Sequence, residues 1–168
     1  MSDTGDLSLH MATEQDLPLI LTFIKALAEY ERLANAVVAT EEGLRQSLFG
    51  PRTYGECVIA RYQGEPAGFA LFFHNFSTFL GRPGLYLEDL FVNPEFRGKG
   101  VGRALLQHLA RLAKERNCGR LEWSVLDWNE TAIGFYKSIG AVSLDEWTIF
   151  RLKGEALARL AMPDPPRS

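Results

Sequence analysis

The sequence predicts a mixed α/β (α+β) fold on a single sheet, and three observations point that way. Residues 101–116 carry apolar side chains at helical spacing (Val101, Leu105, Leu109, Leu112, Ala113), with Arg103, Gln107, Arg111 and Lys114 between them. Three β-type segments, Glu56–Tyr62, Ala67–Phe76 and Leu85–Val92, succeed one another with short breaks, as in an antiparallel meander. The order along the chain, β-α-α-β-β-β-α-β-α-β, leaves helices to cover the faces of a mixed, mostly antiparallel sheet. At 168 residues this is one domain, expected over 1–161, with an irregular tail at 162–168 that holds three prolines.

A short strand is expected near Leu7–Met11. Asp16 is placed to cap the first helix, with Pro18 in its first turn, and its apolar stripe runs Leu17, Ile20, Ile24 and Leu27. The next step of that stripe is Glu31, a carboxylate where an apolar side chain belongs. A shorter helix over Glu41–Phe49 is closed by Gly50-Pro51, and Gln63-Gly64-Glu65-Pro66 reads as the turn between the first two meander strands. Gly119 reads as the stop of the 101–116 helix. A strand over Leu121–Leu126, a helix over Asn129–Ile139 and a last strand region over Ala141–Leu152 complete the fold.

Composition narrows the function. The formal charge is −3, from 18 basic and 21 acidic side chains, which disfavours bulk binding to nucleic acid. Cys57 and Cys118 are the only cysteines and there are three histidines, so neither a disulfide framework nor a zinc site is expected, and no metal is assigned. No apolar run approaches the roughly 18 residues that span a bilayer, and the acidic start lacks the pattern of a secretory signal. The expected setting is the cytoplasm, away from membranes, with both thiols reduced.

Chemistry concentrates in three places. Asn93-Pro94-Glu95-Phe96-Arg97-Gly98-Lys99-Gly100-Val101-Gly102-Arg103 is a glycine-rich turn that leaves a strand and opens a helix, a combination that offers unpaired N–H groups and a dipole end to an anion. It is neither a dinucleotide fingerprint, because Arg103 stands where glycine is needed, nor a P-loop, because Gly100 follows Lys99. Upstream, Glu88 and Asp89 interrupt an apolar strand, where an unpaired ionised carboxylate is costly. Strand alternation sends Glu88 to one face with Tyr86, Leu90 and Val92, and Asp89 to the other unless a bulge intervenes. Each carboxylate reads either as an ion-pair partner or as a site residue. Downstream, Asp127 or Asn129 can cap a helix on which Asn129, Ala132 or Ile133, and Tyr136 share a face. On its own Tyr136 reads more readily as a core aromatic with a satisfied hydroxyl.

These elements, in this order, resemble the GCN5-related N-acetyltransferase superfamily. Arg97, Gly100 and Gly102 meet its Arg/Gln-x-x-Gly-x-Gly/Ala pattern, and Asn129, Ala132, Phe135, Tyr136, Gly140 and Ala141 meet the later one. Ala28-Glu29-Tyr30-Glu31, Tyr86-Leu87-Glu88-Asp89, Asp127-Trp128-Asn129 and Trp147 are similar to the branch of diamine and thialysine acetyltransferases. Ser77-Thr78-Phe79 stands where the polyamine enzymes carry an extra acid, so the thialysine type is the better match. The resemblance implies splayed strands at 85–92 and 121–126 with acetyl-CoA between them. It also implies cofactor contacts from Leu90, Phe91, Val92, Arg97, Gly98, Lys99, Gly100, Val101, Gly102, Arg103, Asn129, Ala132 and Tyr136. Glu88 is the candidate general base, better suited to act through water than by direct abstraction because its reference pKa lies about six units below the amine's, and the resemblance implies Tyr136 as the acid for the leaving thiolate. Its implied amine site draws on Tyr30, Glu31, Glu88, Asp89, Glu122, Trp123, Ser124, Glu146 and Trp147. It further implies a small-molecule amine as substrate, either thialysine or lysine-like or, alternatively, a polyamine, and a homodimer. A CoA-binding regulatory module without turnover is the alternative from another class.

Overall fold

The hairpin between the second and third strands sets the register of the sheet. In the computed structural model, which describes residues 5–163, β2 (Glu56–Tyr62) and β3 (Glu65–Ser77) are joined by Gln63 and Gly64 alone, at φ of 50° and 84°. A two-residue turn with both φ positive matches the twist of its strands. Glu65 and Pro66, expected in the turn, therefore already belong to β3. Pro66 lies opposite Arg61 at a register shift, the kind of place where a strand tolerates a missing N–H. β1 (Leu7–Met11) pairs antiparallel with β2, β4 (Arg82–Val92) antiparallel with β3, and β5 (Leu121–Trp123) parallel with β4. The sheet order is β1-β2-β3-β4-β5, mixed and mostly antiparallel as expected.

Both faces of the sheet are covered. α1 (Leu17–Tyr30) and α2 (Glu41–Phe49) bring Ile20, Phe23 and Leu48 onto Cys57, Ile59, Phe69 and Phe91, and the rings of Phe23 and Phe69 stack at 5.3 Å. Side chains of the opposite parity, Val58, Ala70 and Phe72, are also fully buried, and α3 (Val101–Glu115) packs on β2, β3 and β4 with Leu105 and Leu109 inside. α1 begins where expected, but Asp16 does not cap it. A short 3-10 turn, Glu14–Asp16, precedes the helix, and the Asp16 carboxylate reaches back to accept the Thr13 N–H at 2.8 Å. The stop of α3 differs as well. Asn117 takes the left-handed position at φ 55°, while Cys118 N–H donates to Ala113 O at 2.8 Å and Asn117 N–H to Lys114 O. Gly119 lies beyond that cap and donates to Pro83 O.

The chain divides into two units at Leu126/Asp127. The second contains α4 (Glu130–Ser138), capped by Asn129, whose side chain accepts the Ala132 N–H at 3.3 Å, and stopped by Gly140 at φ 90°. The strand region expected over 141–152 is not formed. Its apolar residues suit a strand, but a strand needs a hydrogen-bonded neighbour, and the pattern breaks at Asp145-Glu146, where a turn forms with Trp147 N–H on Leu144 O. Val142, Trp147, Ile149 and Phe150 are left exposed. A helix absent from the expected order, α5 (Gly154–Ala161), follows. The tail at 164–168 lies outside the described residues.

One ion pair ties the start of β2 to the end of α3. Arg116 donates from Nη1 to Glu56 Oε2 at 2.6 Å and from Nη2 to Oε1 at 2.8 Å. The Arg116 hydrogen bond holds the Glu56 carboxyl below its usual range against the opposing effect of burial. A carboxyl depressed in this way stabilises the fold at neutral pH and loses that contribution as pH falls through its folded value. Arg116→Ala is therefore expected to cost about 1–2 kcal/mol in thermal or urea unfolding at pH 7, with the difference fading on acidification below the carboxylate range.

Candidate active site

The central feature of the first unit is a β-bulge in β4. Leu87 pairs with Phe72 and Asp89 with Leu71, so two steps along β4 match one along β3, and Glu88 is the extra residue. Without it, Asp89 would share a face with Leu87. With it, Asp89 shares the face of Leu71 and Phe91, the one covered by α1. Glu88 is exposed at the bulge. The alternation that separates the two carboxylates in a regular strand is thus suspended here.

α1 delivers the third carboxylate. The helix ends with Arg32 in the left-handed region at φ 62°, Leu33 N–H on Ala28 O at 2.7 Å and Arg32 N–H on Glu29 O at 3.0 Å. This cap leaves Tyr30 and Glu31 at the helix terminus. Glu31, Glu88 and Asp89 lie close enough to act on one another. Burial, then Glu88 and Glu31, push the Asp89 carboxyl up to about 6, and burial together with Glu88 raises Glu31.

Beyond the bulge, β4 outruns its neighbour. β5 pairs with it only from Leu85–Leu121 to Leu87–Trp123, three residues rather than the expected six of 121–126. At that fork the Tyr86 and Ser124 hydroxyls bond at 2.8 Å. Asn93 N–H donates to Ala67 O, so strand alternation turns the Phe91 N–H toward β3 and the N–H and C=O of Leu90 and Val92 away from it. Of the three residues assigned to the cofactor arm, Leu90 and Val92 therefore present polar backbone on the β5 side.

The glycine turn follows. Gly98 and Gly100 sit at φ 76° and 78°, and a side chain at either would meet nothing within 4 Å, so the turn is open. The first hydrogen bond of α3 is Ala104 N–H to Gly100 O, which leaves the N–H groups of Val101, Gly102 and Arg103 without a helical partner. An open loop with several free N–H groups at a helix N-terminus fits a pyrophosphate-bearing ligand such as acetyl-CoA. The two cationic side chains before them are held on aromatic rings. Lys99 Nζ lies 4.8 Å from the Tyr62 ring centre and 5.5 Å from that of Phe96, and Arg97 lies over Tyr30 at 4.8 Å and Phe91 at 6.0 Å.

The Glu122 carboxylate accepts from Arg120 Nε at 2.6 Å and Asn75 Nδ2 at 3.2 Å, an ion-pair arrangement, and Trp123 closes β5. In the second unit, Ala132 donates its N–H to the Asn129 cap, Tyr136 lies beside Phe135 with ring centres 5.8 Å apart, and Glu146 and Trp147 lie in the exposed 141–152 segment. Among the described residues no group of three or more His, Cys, Asp and Glu could hold a metal ion, and no helix is long and apolar enough to cross a membrane. Tyr62 and Phe96 were not legible as loop supports, because nothing in sequence links residues 34 positions apart to Lys99.

Residues 24–141 match the Acetyltransferase (GNAT) family. The chain is 40% identical to thialysine N-epsilon-acetyltransferase of Bos taurus, covering 89% of this chain and 94% of that one. It is 32% identical to the L-ornithine N5-acetyltransferase NATA1 of Arabidopsis thaliana, covering 89% and 85%. A solved integron cassette protein from the mobile metagenome of V. cholerae superposes with a TM-score of 0.78 at 31% identity, covering 94% of this chain and 99% of that one. The chain belongs to the GNAT acetyltransferase family, in its diamine and thialysine branch, and is an N-acetyltransferase.

The raised Asp89 carboxyl has a measurable cost. Its proton is bound more tightly folded than unfolded, so its contribution to stability is full below the ordinary carboxylate value near 3.9 and is lost as pH rises through about 6. Asp89→Asn is expected to raise stability at pH 8 by about 2–3 kcal/mol and to leave it nearly unchanged at pH 3.5, as read from thermal unfolding at the two pH values.

Proposed function

We propose that this N-acetyltransferase uses acetyl-CoA and acts on the side-chain amine of a small amino acid of the thialysine or lysine type. The observation that carries the reading is the grouping of Glu31, Glu88 and Asp89 at the face of β4 under the end of α1, a cation-attracting cluster in the same unit as the open glycine loop. The relatives named for thialysine and ornithine acetylation support the amino-acid acceptor, and Ser77, where the polyamine enzymes carry an acid, supports it over a long polycation.

Acetyl-CoA supplies an acyl group activated as a thioester. The N–H groups of Gly98 to Arg103 hold its pyrophosphate in this reading, the polar backbone of Leu90 holds its extended arm with the Val92 N–H at the thioester, and Asn129 and Ala132 add contacts the resemblance assigns. The acceptor arrives as a cation. With an amine pKa near 10.4, only about one molecule in 10^3.4 is neutral at pH 7, equivalent to roughly 4.6 kcal/mol. Glu31 and Asp89 bind the charged amine, with Tyr30 beside them. Glu88, exposed at the bulge, takes the proton through water, since a carboxylate with a reference pKa near 4.3 is poorly matched for direct abstraction. The neutral nitrogen then forms the new bond to the acyl carbon as the carbon–sulfur bond breaks. Val92 N–H, turned away from β3, is the donor for the negative charge on the acyl oxygen. In the role the resemblance assigns, Tyr136 donates its proton to the leaving sulfur, and the second proton shed by the nitrogen as it becomes an amide restores the tyrosine hydroxyl.

Thiol release from acetyl-CoA with thialysine, lysine, ornithine, putrescine, spermidine and spermine tests the substrate class. Thialysine or another amino acid is expected to give the highest kcat/KM, and a preference for spermidine or spermine would replace this reading with a polyamine enzyme. Tyr136→Phe is expected to lower kcat about 100-fold with CoA affinity retained, and an unchanged kcat would remove its role as acid. Glu31→Gln should raise the amine KM with kcat little changed. A homodimer belongs to the same proposal, supported by the resemblance and by the apolar side chains left exposed over 141–152. Sedimentation equilibrium should return twice the chain mass.

A further inference from the structure

The glycine turn contains a side chain that the anion-binding role does not use. Arg97 enters the loop in extended backbone, φ −67° and ψ 150°, and its guanidinium leaves the loop for the end of α1. It lies 4.8 Å from the centre of the Tyr30 ring and 6.0 Å from that of Phe91, and its Nε donates to Val92 O at 3.2 Å. The strand alternation described above frees that carbonyl for the purpose, because Val92 O points away from β3. One planar cation thus joins the last residue of β4 to the last residue of α1, and a guanidinium is suited to this since it can stack and donate at once.

We infer that the Arg97 side chain is a positioning residue of the acceptor site, fixing the terminus of α1 that carries Tyr30 and Glu31 against the end of β4. The inference rests on the proposed amine acetyltransferase reading and adds a residue to it: the resemblance counts Arg97 among the cofactor contacts, whereas its side chain serves the amine. The tie acts on a helix end whose last turn is closed by Arg32 in the left-handed region, which a residue with a Cβ occupies at a cost, and where Tyr30 is 39% exposed. The pyrophosphate-holding role stays with the backbone N–H groups from Gly98 onward, which Arg97 truncation leaves in place.

Kinetics and calorimetry on the intact chain separate the alternatives. Arg97→Ala is expected to raise the amine KM by about fivefold or more, the scale of an exposed cation–π contact plus one hydrogen bond, and to raise the CoA Kd by a smaller factor. In a Tyr30→Leu background Arg97→Ala should raise the KM no further, because the ring it stacks on is gone, whereas in a Tyr30→Phe background, which keeps the ring, it should keep its full effect. A raised CoA Kd with an unchanged amine KM would overturn the inference and make Arg97 a phosphate ligand, and additive effects of Arg97→Ala and Tyr30→Leu would overturn it too. If wild type acetylates none of the amines, the substrate proposal fails. Hydrogen exchange then still decides the contact. Arg97→Ala should speed exchange at the hydrogen-bonded amides of Glu31, Arg32 and Leu33 and leave the sheet amides unchanged, and identical exchange in the two proteins would contradict it.

Discussion

Two consecutive carboxylates on an interior strand face a conflict. A regular strand sends one to each face, and burying either one ionised and unpaired costs several kcal/mol. β4 resolves it with a single extra residue. The bulge at Glu88 leaves that side chain in solvent and turns Asp89 onto the face of Leu71 and Phe91, beneath the end of α1. Everything after the bulge inherits the new parity. Phe91 joins Phe23 and Phe69 in the core, and Val92 directs its N–H and C=O away from β3.

The acid cluster and the outward direction of the Val92 backbone are therefore consequences of one register shift. A carboxyl raised by burial and by two like charges is unfavourable for folding above about pH 6. The rest of the unit offsets this with a well-packed apolar face, in which Ile20, Phe23, Ile59 and Phe69 are essentially inaccessible to solvent. The cluster gives the site a negative field suited to a cationic amine, while the glycine loop provides local N–H groups for an anion within a chain of net charge −3. Opposite charges are thus handled by different means, side-chain carboxylates for one and backbone amides for the other.

Much of this was legible in the sequence where the signal is local. The 3.6-residue period of α3, the glycine turn before it and the three strands of the meander follow from side-chain patterning and turn chemistry. Glu31 announced itself by breaking the apolar stripe of α1. The bulge did not, because Leu87-Glu88-Asp89-Leu90 has no glycine or proline to mark it, and its position is fixed by pairing with Leu71 and Phe72 across the sheet. Asn117 took the cap that Gly119 was expected to provide, since both can adopt the left-handed conformation and sequence alone does not rank them. The strand expected over 141–152 shows the opposite failure. Its apolar residues report a preference, and pairing has to come from elsewhere. The stack of Arg97 on Tyr30 joins residues from different elements, a relation that periodicity does not encode.

The most direct test of the central claim is a carboxyl-detected NMR titration of Asp89 in the wild-type chain and in Glu31→Gln. If the bulge places Asp89 partly buried under the end of α1, its carboxyl titrates near 6 and the Glu31→Gln change lowers that midpoint. An Asp89 midpoint near the ordinary value of about 3.9, indifferent to Glu31, would mean that the strand runs on without the bulge and that the three carboxylates do not share a site.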